Sequence, residues 1–176
     1  MFRMVMIVGL MTTLAACATL DESECLNANW YDIGFVDGTN GKPLSHFSRH
    51  IKACTKHGVS PDQTPWREGR EQGLRVFCVP ERAYKIGRSG SSFPAVCTPQ
   101  ESIEMRPAYD WGRNYHDLSD RIAELEADID DREDELDELT DPDDPLFDLY
   151  NLYNFRDRSE IRRLERRRQP YEFWPG

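Results

Sequence analysis

The chain lacks the sequence signatures that usually announce chemistry. It has no Gly-x-Ser-x-Gly elbow and no phosphate-cradling Gly-rich loop completed by Gly-Lys. Gly87-Arg88-Ser89-Gly90 only loosely resembles such a loop and lacks that lysine. Paired C-x-x-C knuckles are absent too, which excludes the common four-thiolate zinc ribbon. Positive charge is in short supply, with 22 Lys and Arg against 32 Asp and Glu, a formal net charge of −10. An acidic chain gains nothing from counterion release and is repelled by anionic lipid headgroups, so nucleic acid is not its partner. A long apolar run is also missing. The stretch from Met4 to Leu14 is about 11 residues, roughly half of what a membrane-crossing helix needs.

That short stretch follows a single charge, Arg3, and precedes the small residues Ala15 and Ala16 in front of Cys17, the order of a secretory signal. Leu14-Ala15-Ala16-Cys17 resembles the lipobox of bacterial lipoproteins, in which the Cys thiol carries diacylglycerol and the leader is cut off before it. The resemblance implies a signal peptide over residues 1–16 that is removed, a covalent lipid on Cys17 and a tether over residues 17–24. Two or three acyl chains such as palmitate make attachment effectively permanent, and no other cofactor is indicated. Ala18 is not the Asp of an inner-membrane retention signal, so the expected address is the cell envelope, on the periplasmic face of the outer membrane. The mature chain of 160 residues is long enough for a real core and carries a net charge of −11.

With Cys17 committed to lipid, Cys25, Cys54, Cys78 and Cys97 remain. An even count in an oxidising compartment predicts two disulfides. Of the three pairings, Cys25–Cys54 with Cys78–Cys97 closes the shorter loops and is preferred, although spacing alone leaves all three open.

The fold class reads as mainly α, in two parts. Residues 25–106 form a disulfide-braced body rich in Gly and aromatics, and a repeated phrase in which an aromatic is followed three residues later by Gly runs through it and just past its end. The phrase occurs as Tyr31/Gly34/Gly38, Trp66/Gly69/Gly73, Tyr84/Gly87/Gly90 and Tyr109/Gly112. On helices this spacing places aromatic and glycines on one face, where missing side chains admit a neighbouring backbone. Glycine costs about 1 kcal/mol per helical position, so its repetition predicts close packing. Helix starts are marked by Ser60-Pro61-Asp62-Gln63 and Thr98-Pro99-Gln100-Glu101, each fitting a capping box with Pro at the first helical position. A further short helix fits between Pro43 and His57, ending before Gly58.

From Pro107 to Arg168 the chain is charge-dense. Ala108, Trp111, Tyr115, Leu118, Ile122, Leu125, Ile129, Arg132, Leu136 and Leu139 follow a 3.5-residue period in which Arg132 alone breaks the apolar seam. Asp141-Pro142-Asp143-Asp144-Pro145 ends this helix, with Asp144 as N-cap and Pro145 as first residue of the next. Residues 117–144 hold 15 acids, whereas residues 155–168 hold seven arginines. Folding back at the Pro-bracketed turn sets Arg156 near Asp130 and Arg163 near Ala123 and Glu124, an antiparallel hairpin whose charges select the pairing more than they stabilise it. An aromatic tail, residues 169–176, follows.

The first part as a whole resembles a family of bacterial proteins catalogued as domain of unknown function 2799. The residues that carry the likeness are Trp30, Gly34, Asp37-Gly38, Gly41, His50, Cys54, Gly58, Trp66, Gly69, Gly73-Leu74, Phe77-Cys78, Tyr84, Gly87, Gly90, Cys97, Tyr109 and Gly112. The resemblance implies a shared fold and export, and no activity.

For chemistry the sequence offers one cluster, His46, His50, Cys54 and His57, whose steps of four place the first three on one helical face. Such a face binds zinc or copper when a carboxylate orients the imidazoles. A disulfide at Cys54 removes one ligand, which leaves His46, His50 and His57 as the metal candidates. Asp37 beside Gly38 reads as a backbone cap or turn residue, and no catalytic residue can be named. The expected role is therefore a membrane-tethered structural or interaction module, with an envelope enzyme or metal binder as the alternative. The second helix carries Phe147, Leu149, Tyr150, Leu152, Tyr153 and Phe155 around most of its circumference, more apolar surface than one partner helix covers. The body and tail, a partner protein or a second copy of the chain can supply the cover.

Overall fold

The aromatic–Gly phrases lie on helices and face each other in pairs. The computed structural model describes residues 19–141 and 144–176, so the leader, Cys17 and the start of the tether fall outside the described residues. Helix α1 (Glu22–Leu26) and α2 (Trp30–Thr39) are followed by a 3-10 turn and α3 (Phe47–Cys54), then α4 (Gln63–Phe77), α5 (Pro80–Arg88), α6 (Pro99–Glu138) and α7 (Pro145–Arg168). No strand occurs among the described residues. None of their helices is long and apolar enough to cross a membrane.

Helices α2 and α4 meet through backbone. A β-carbon placed on Gly34 would stand 1.9 Å from the Trp66 carbonyl oxygen, and one on Gly69 would stand 1.9 Å from that of Tyr31. One turn further, Gly38 faces the Arg70 carbonyl at 2.2 Å and Gly73 that of Phe35 at 2.1 Å. Each glycine therefore lies over the carbonyl three residues before its partner glycine. Helices α5 and α6 repeat the rule, with Gly87 against the Tyr109 carbonyl and Gly112 against that of Tyr84, both at 2.2 Å. Ordinary side chains hold helix axes about 8–10 Å apart, and only hydrogen in place of Cβ lets the backbones come this close. Gly90 does not join this face. It follows α5 with φ +74°, a left-handed turn after the helix end, and its open side is filled by the His116 ring.

Both preferred disulfides are formed. Cys25–Cys54 ties α1 to the end of α3, with Cα atoms 5.4 Å apart, and Cys78–Cys97 ties the end of α4 to the start of α6, at 5.7 Å. Phe77, Ala83, Tyr84, Met105 and Ala108 form the core around the second bridge. Thr98 caps α6 through the expected reciprocal box with Glu101. The expected Ser60 start is displaced: α4 begins at Gln63, capped by Asp62, whose side chain accepts from the Thr64 N–H. Starting at Ser60 would put Pro65 in the helix interior, where it lacks a donor and clashes with the preceding turn, whereas the observed start keeps it in the first turn. The short helix between Pro43 and His57 is present and stops at Gly58 in the left-handed conformation, φ 74°. The compositional boundary at Pro107 is no break, because Pro107 lies inside the continuous α6.

Beyond the body, α6 and α7 form the antiparallel hairpin. Asp144 caps α7 and Pro145 is its first residue, as read from the sequence. Ile122, Leu125 and Leu164 are buried in the seam, with Leu118 and Ile161 packed alongside. Tyr150 donates to Glu135, and Arg168 donates to Ser119 at 3.2 Å, which is the register expected from the turn. The individual partners differ, since Arg156 binds Asp157 and Arg163 binds Glu160 on their own helix while Arg158 crosses to Glu133. The chain's last residues return to the body. Trp111 donates to the Phe173 carbonyl at 2.9 Å, Tyr84 to that of Tyr171 at 2.9 Å, and the Trp111 and Tyr171 rings stack edge to face with centroids 4.6 Å apart.

Arg132, the one break in the apolar seam, is the anchor of a buried network. Its Nε donates to Asn154 at 2.8 Å and its Nη2 to Asp157 at 2.6 Å, and Arg156 holds the other Asp157 oxygen at 2.9 Å. Burial, the largest influence, pushes the Asp157 carboxyl up. The bonds and charges of Arg156 and Arg132 together outweigh it and hold the group below the usual carboxylate range. Removing one partner of such a network leaves the others buried and short of a bond. Arg132→Leu should therefore cost about 3 kcal/mol in urea unfolding, whereas adding Asn154→Leu and Asp157→Leu should recover most of it. Equal losses for the single and triple variants would show that the network is not what the hairpin depends on.

Candidate functional site

Asp37 sits on the last turn of α2, next to Gly38, so the closest approach of α2 and α4 passes beside its carboxylate. That approach puts the fully buried Trp66 of α4 within reach, and its Nε1 donates to Asp37 Oδ2 at 2.9 Å. From α3, His50 Nε2 lies 2.7 Å from the same oxygen, and its Nδ1 lies 3.1 Å from Thr19 Oγ1. His46, in the 3-10 turn before α3, brings Nε2 to 3.7 Å from Asp37 Oδ1, and the two imidazole rings meet edge to face at 5.1 Å. The Phe47 ring lies against Trp66 at 4.9 Å and closes the apolar side.

Because a carboxylate accepts only, Trp66 and His50 both donate to it, which puts a His50 proton on Nε2 and leaves Nδ1 to meet the Thr19 hydroxyl. Burial alone would raise the Asp37 carboxyl, and it is the largest single influence. The bonds from His50 and Trp66 and the charges of both imidazoles nevertheless bring the group below its ordinary value. His46 is pushed down, chiefly by burial and against the pull of Asp37, so it is held toward the neutral form. Arg70, also buried, donates from Nε to the Lys42 carbonyl at 2.6 Å and pins the loop that leads to His46. An open cleft of about 590 Å³ adjoins the cluster, lined also by the apolar Leu20, Ile33 and Val36 and by charges of both signs, Glu24 and Asp32 with Lys42 and Arg49.

Of the four residues picked from the sequence, the structure brings His46 and His50 together. Cys54 is bonded to Cys25, and His57 turns away to Glu22 at 3.8 Å, so it is not part of the cluster. Asp37 supplies the carboxylate that completes the group. Its backbone carbonyl takes the turn role read from the sequence, accepting from the Asn40 and Lys42 N–H groups at 3.2 and 2.9 Å, while its side chain is drawn instead to the donors of α3 and α4. Trp66, read as a packing residue, also orients that carboxylate. The available signal was an acid set inside the aromatic–Gly phrase at a position that caps nothing. Gly87-Arg88-Ser89-Gly90 forms no anion cradle, since Arg88 is spent on Tyr84 and the Glu172 carbonyl and stacks over Tyr115.

A carboxyl with a lowered folded value contributes its stabilisation above the unfolded value, near 3.9, and loses it as pH falls through the folded one. Asp37→Asn should cost about 1–3 kcal/mol at neutral pH. It should also flatten the decline of melting temperature between roughly pH 5 and 2. Identical acid limbs for the wild type and the variant would contradict the bonding described.

No curated protein and no solved structure is significantly similar to the chain. A family model does match, and it takes in both glycine-paired helix layers and the Asp37–His46–His50 cluster while leaving out most of the hairpin. Residues 29–114 of the chain match the family model described as Protein of unknown function (DUF2799).

Proposed function

We propose that the protein is a lipid-anchored module of the bacterial cell envelope that offers the distal half of its hairpin to a protein partner. The signal peptide over residues 1–16 and the lipid on Cys17 supply the anchor, and the periplasmic face of the outer membrane is the expected location. One observation carries the reading. The first turns of α7 expose Phe147, Leu149, Leu152, Tyr153 and Phe155, with Leu152 at 61% and Phe155 at 68%, while α6 covers a single stripe of that helix. The aromatic tail does not reach them. It is committed to Trp111 and Tyr84 at the other end of the hairpin. Apolar surface gathered on one half of a helix otherwise dense in charge marks a contact site, because water-exposed side chains of this size gain about 1.5–3 kcal/mol each when covered.

Replacing Leu149 and Leu152 by Asp tests this. The doubly substituted, lipidated protein should keep its melting temperature and lose the protein that copurifies with the wild type. An early-melting variant would place the two leucines in the core, and a loss of self-association with no other protein involved would make the chain its own partner. Palmitate labelling checks the anchor: mature protein found unlabelled in the soluble periplasm would remove it.

A further inference from the structure

We propose that Asp37, His46 and His50 bind one divalent transition-metal ion at the floor of the cleft. The three ligand atoms lie within 4.8 Å of one another. Metal–ligand bonds of about 2.0–2.2 Å set tetrahedral edges of roughly 3.3–3.5 Å. His50 Nε2 lies 2.7 Å from Oδ2 and His46 Nε2 3.7 Å from Oδ1 of the one Asp37 carboxylate, separations on either side of that value, so small side-chain rotations bring a carboxylate oxygen and both imidazoles round one ion. Two imidazoles and one carboxylate suit zinc and its neighbours rather than calcium or magnesium, which demand six or more oxygens.

The outer partners that such ligands need are already in place. Trp66 donates to the carboxylate and fixes its plane. Thr19 meets the remaining His50 nitrogen at 3.1 Å. Ligating histidines commonly engage their second nitrogen in this way, and ligating carboxylates are themselves hydrogen-bonded. In the bound form the ion takes the His50 Nε2 lone pair in place of the proton there, Nδ1 carries the ring proton, and the Thr19 hydroxyl accepts it. A fourth position then faces the cleft, open to water or to a small ligand, as in zinc sites with three protein ligands. A second grouping, Cys78, Cys97 and Glu101, offers no rival because both sulfurs are in a disulfide.

The test uses the full chain in detergent, freed of metal by a chelator and titrated with zinc in a calorimeter. One zinc per chain is expected. His46→Ala should weaken binding about tenfold or more, measured on a variant whose helical circular-dichroism spectrum matches the wild type. His57→Ala should leave the affinity unchanged. Zinc should raise the melting temperature of the wild type and of His57→Ala but not of His46→Ala. Cobalt on the wild type gives a readout independent of any variant, the intense visible bands of a four- or five-coordinate ion. Absence of binding, equal weakening by His57→Ala, or the faint spectrum of hydrated cobalt overturns the proposal.

Discussion

A hydrogen atom where a β-carbon would stand, at Gly34, Gly69, Gly87 and Gly112, decides how near two pairs of helix backbones come. Everything else in the body is placed by that approach. The carbonyl of each phrase aromatic lies under the glycine of the facing helix, which frees the aromatic side chain for another task. Trp66 holds the Asp37 carboxylate, Tyr84 holds the C-terminal tail, and Tyr109 donates to the Ser91 carbonyl at 3.0 Å. Scaffold and site therefore share residues. Asp37 is adjacent to Gly38, and Trp66 contributes its carbonyl to the scaffold and its indole N–H to the site.

Around this frame the protein relies on buried polar groups as well as on apolar packing. Asp37 and Asp157 are both nearly inaccessible, and each is surrounded by donors; among the described residues no buried side-chain polar atom is left without a partner. Such networks tolerate little, because one missing donor leaves a desolvated charge. The disulfides act on the other side of the balance. Closing loops across separations of 29 and 19 residues removes unfolded-state entropy worth about 3–4 kcal/mol each in the chain-entropy account. That contribution is large beside a typical total of about 5–15 kcal/mol.

The parts of this arrangement that depend on local spacing were legible in the sequence. The 3.5-residue seam from Leu118 to Ile129, the Asp144–Pro145 start of α7 and the Thr98 box all follow from neighbours within a turn or two. The repeated phrase was visible as well, but not that Tyr31 pairs with Trp66 and Tyr84 with Tyr109, because helical faces do not name their partners. Arg132 stood out as an interruption for the same reason that its role was hidden: Asn154 and Asp157 lie 22 and 25 residues away, across the turn. Asp37 shows the limit most clearly. Judged by Gly38 alone it is a turn residue, and only the convergence of α3 and α4 makes it the acceptor at the centre of a cluster.

The dependence of the body on reciprocal glycine contacts is tested most directly by a double-mutant cycle in urea unfolding with Gly34→Ala and Gly69→Ala. Both substitutions force the same two backbones apart, so the second should add far less than the first, with a coupling of about 1 kcal/mol or more. Gly34→Ala combined with Gly112→Ala, which acts on the other helix pair, should be additive within about 0.5 kcal/mol. Additive losses for Gly34 and Gly69, or a gain from either alone of the roughly 1 kcal/mol that alanine offers a helix, would contradict the account.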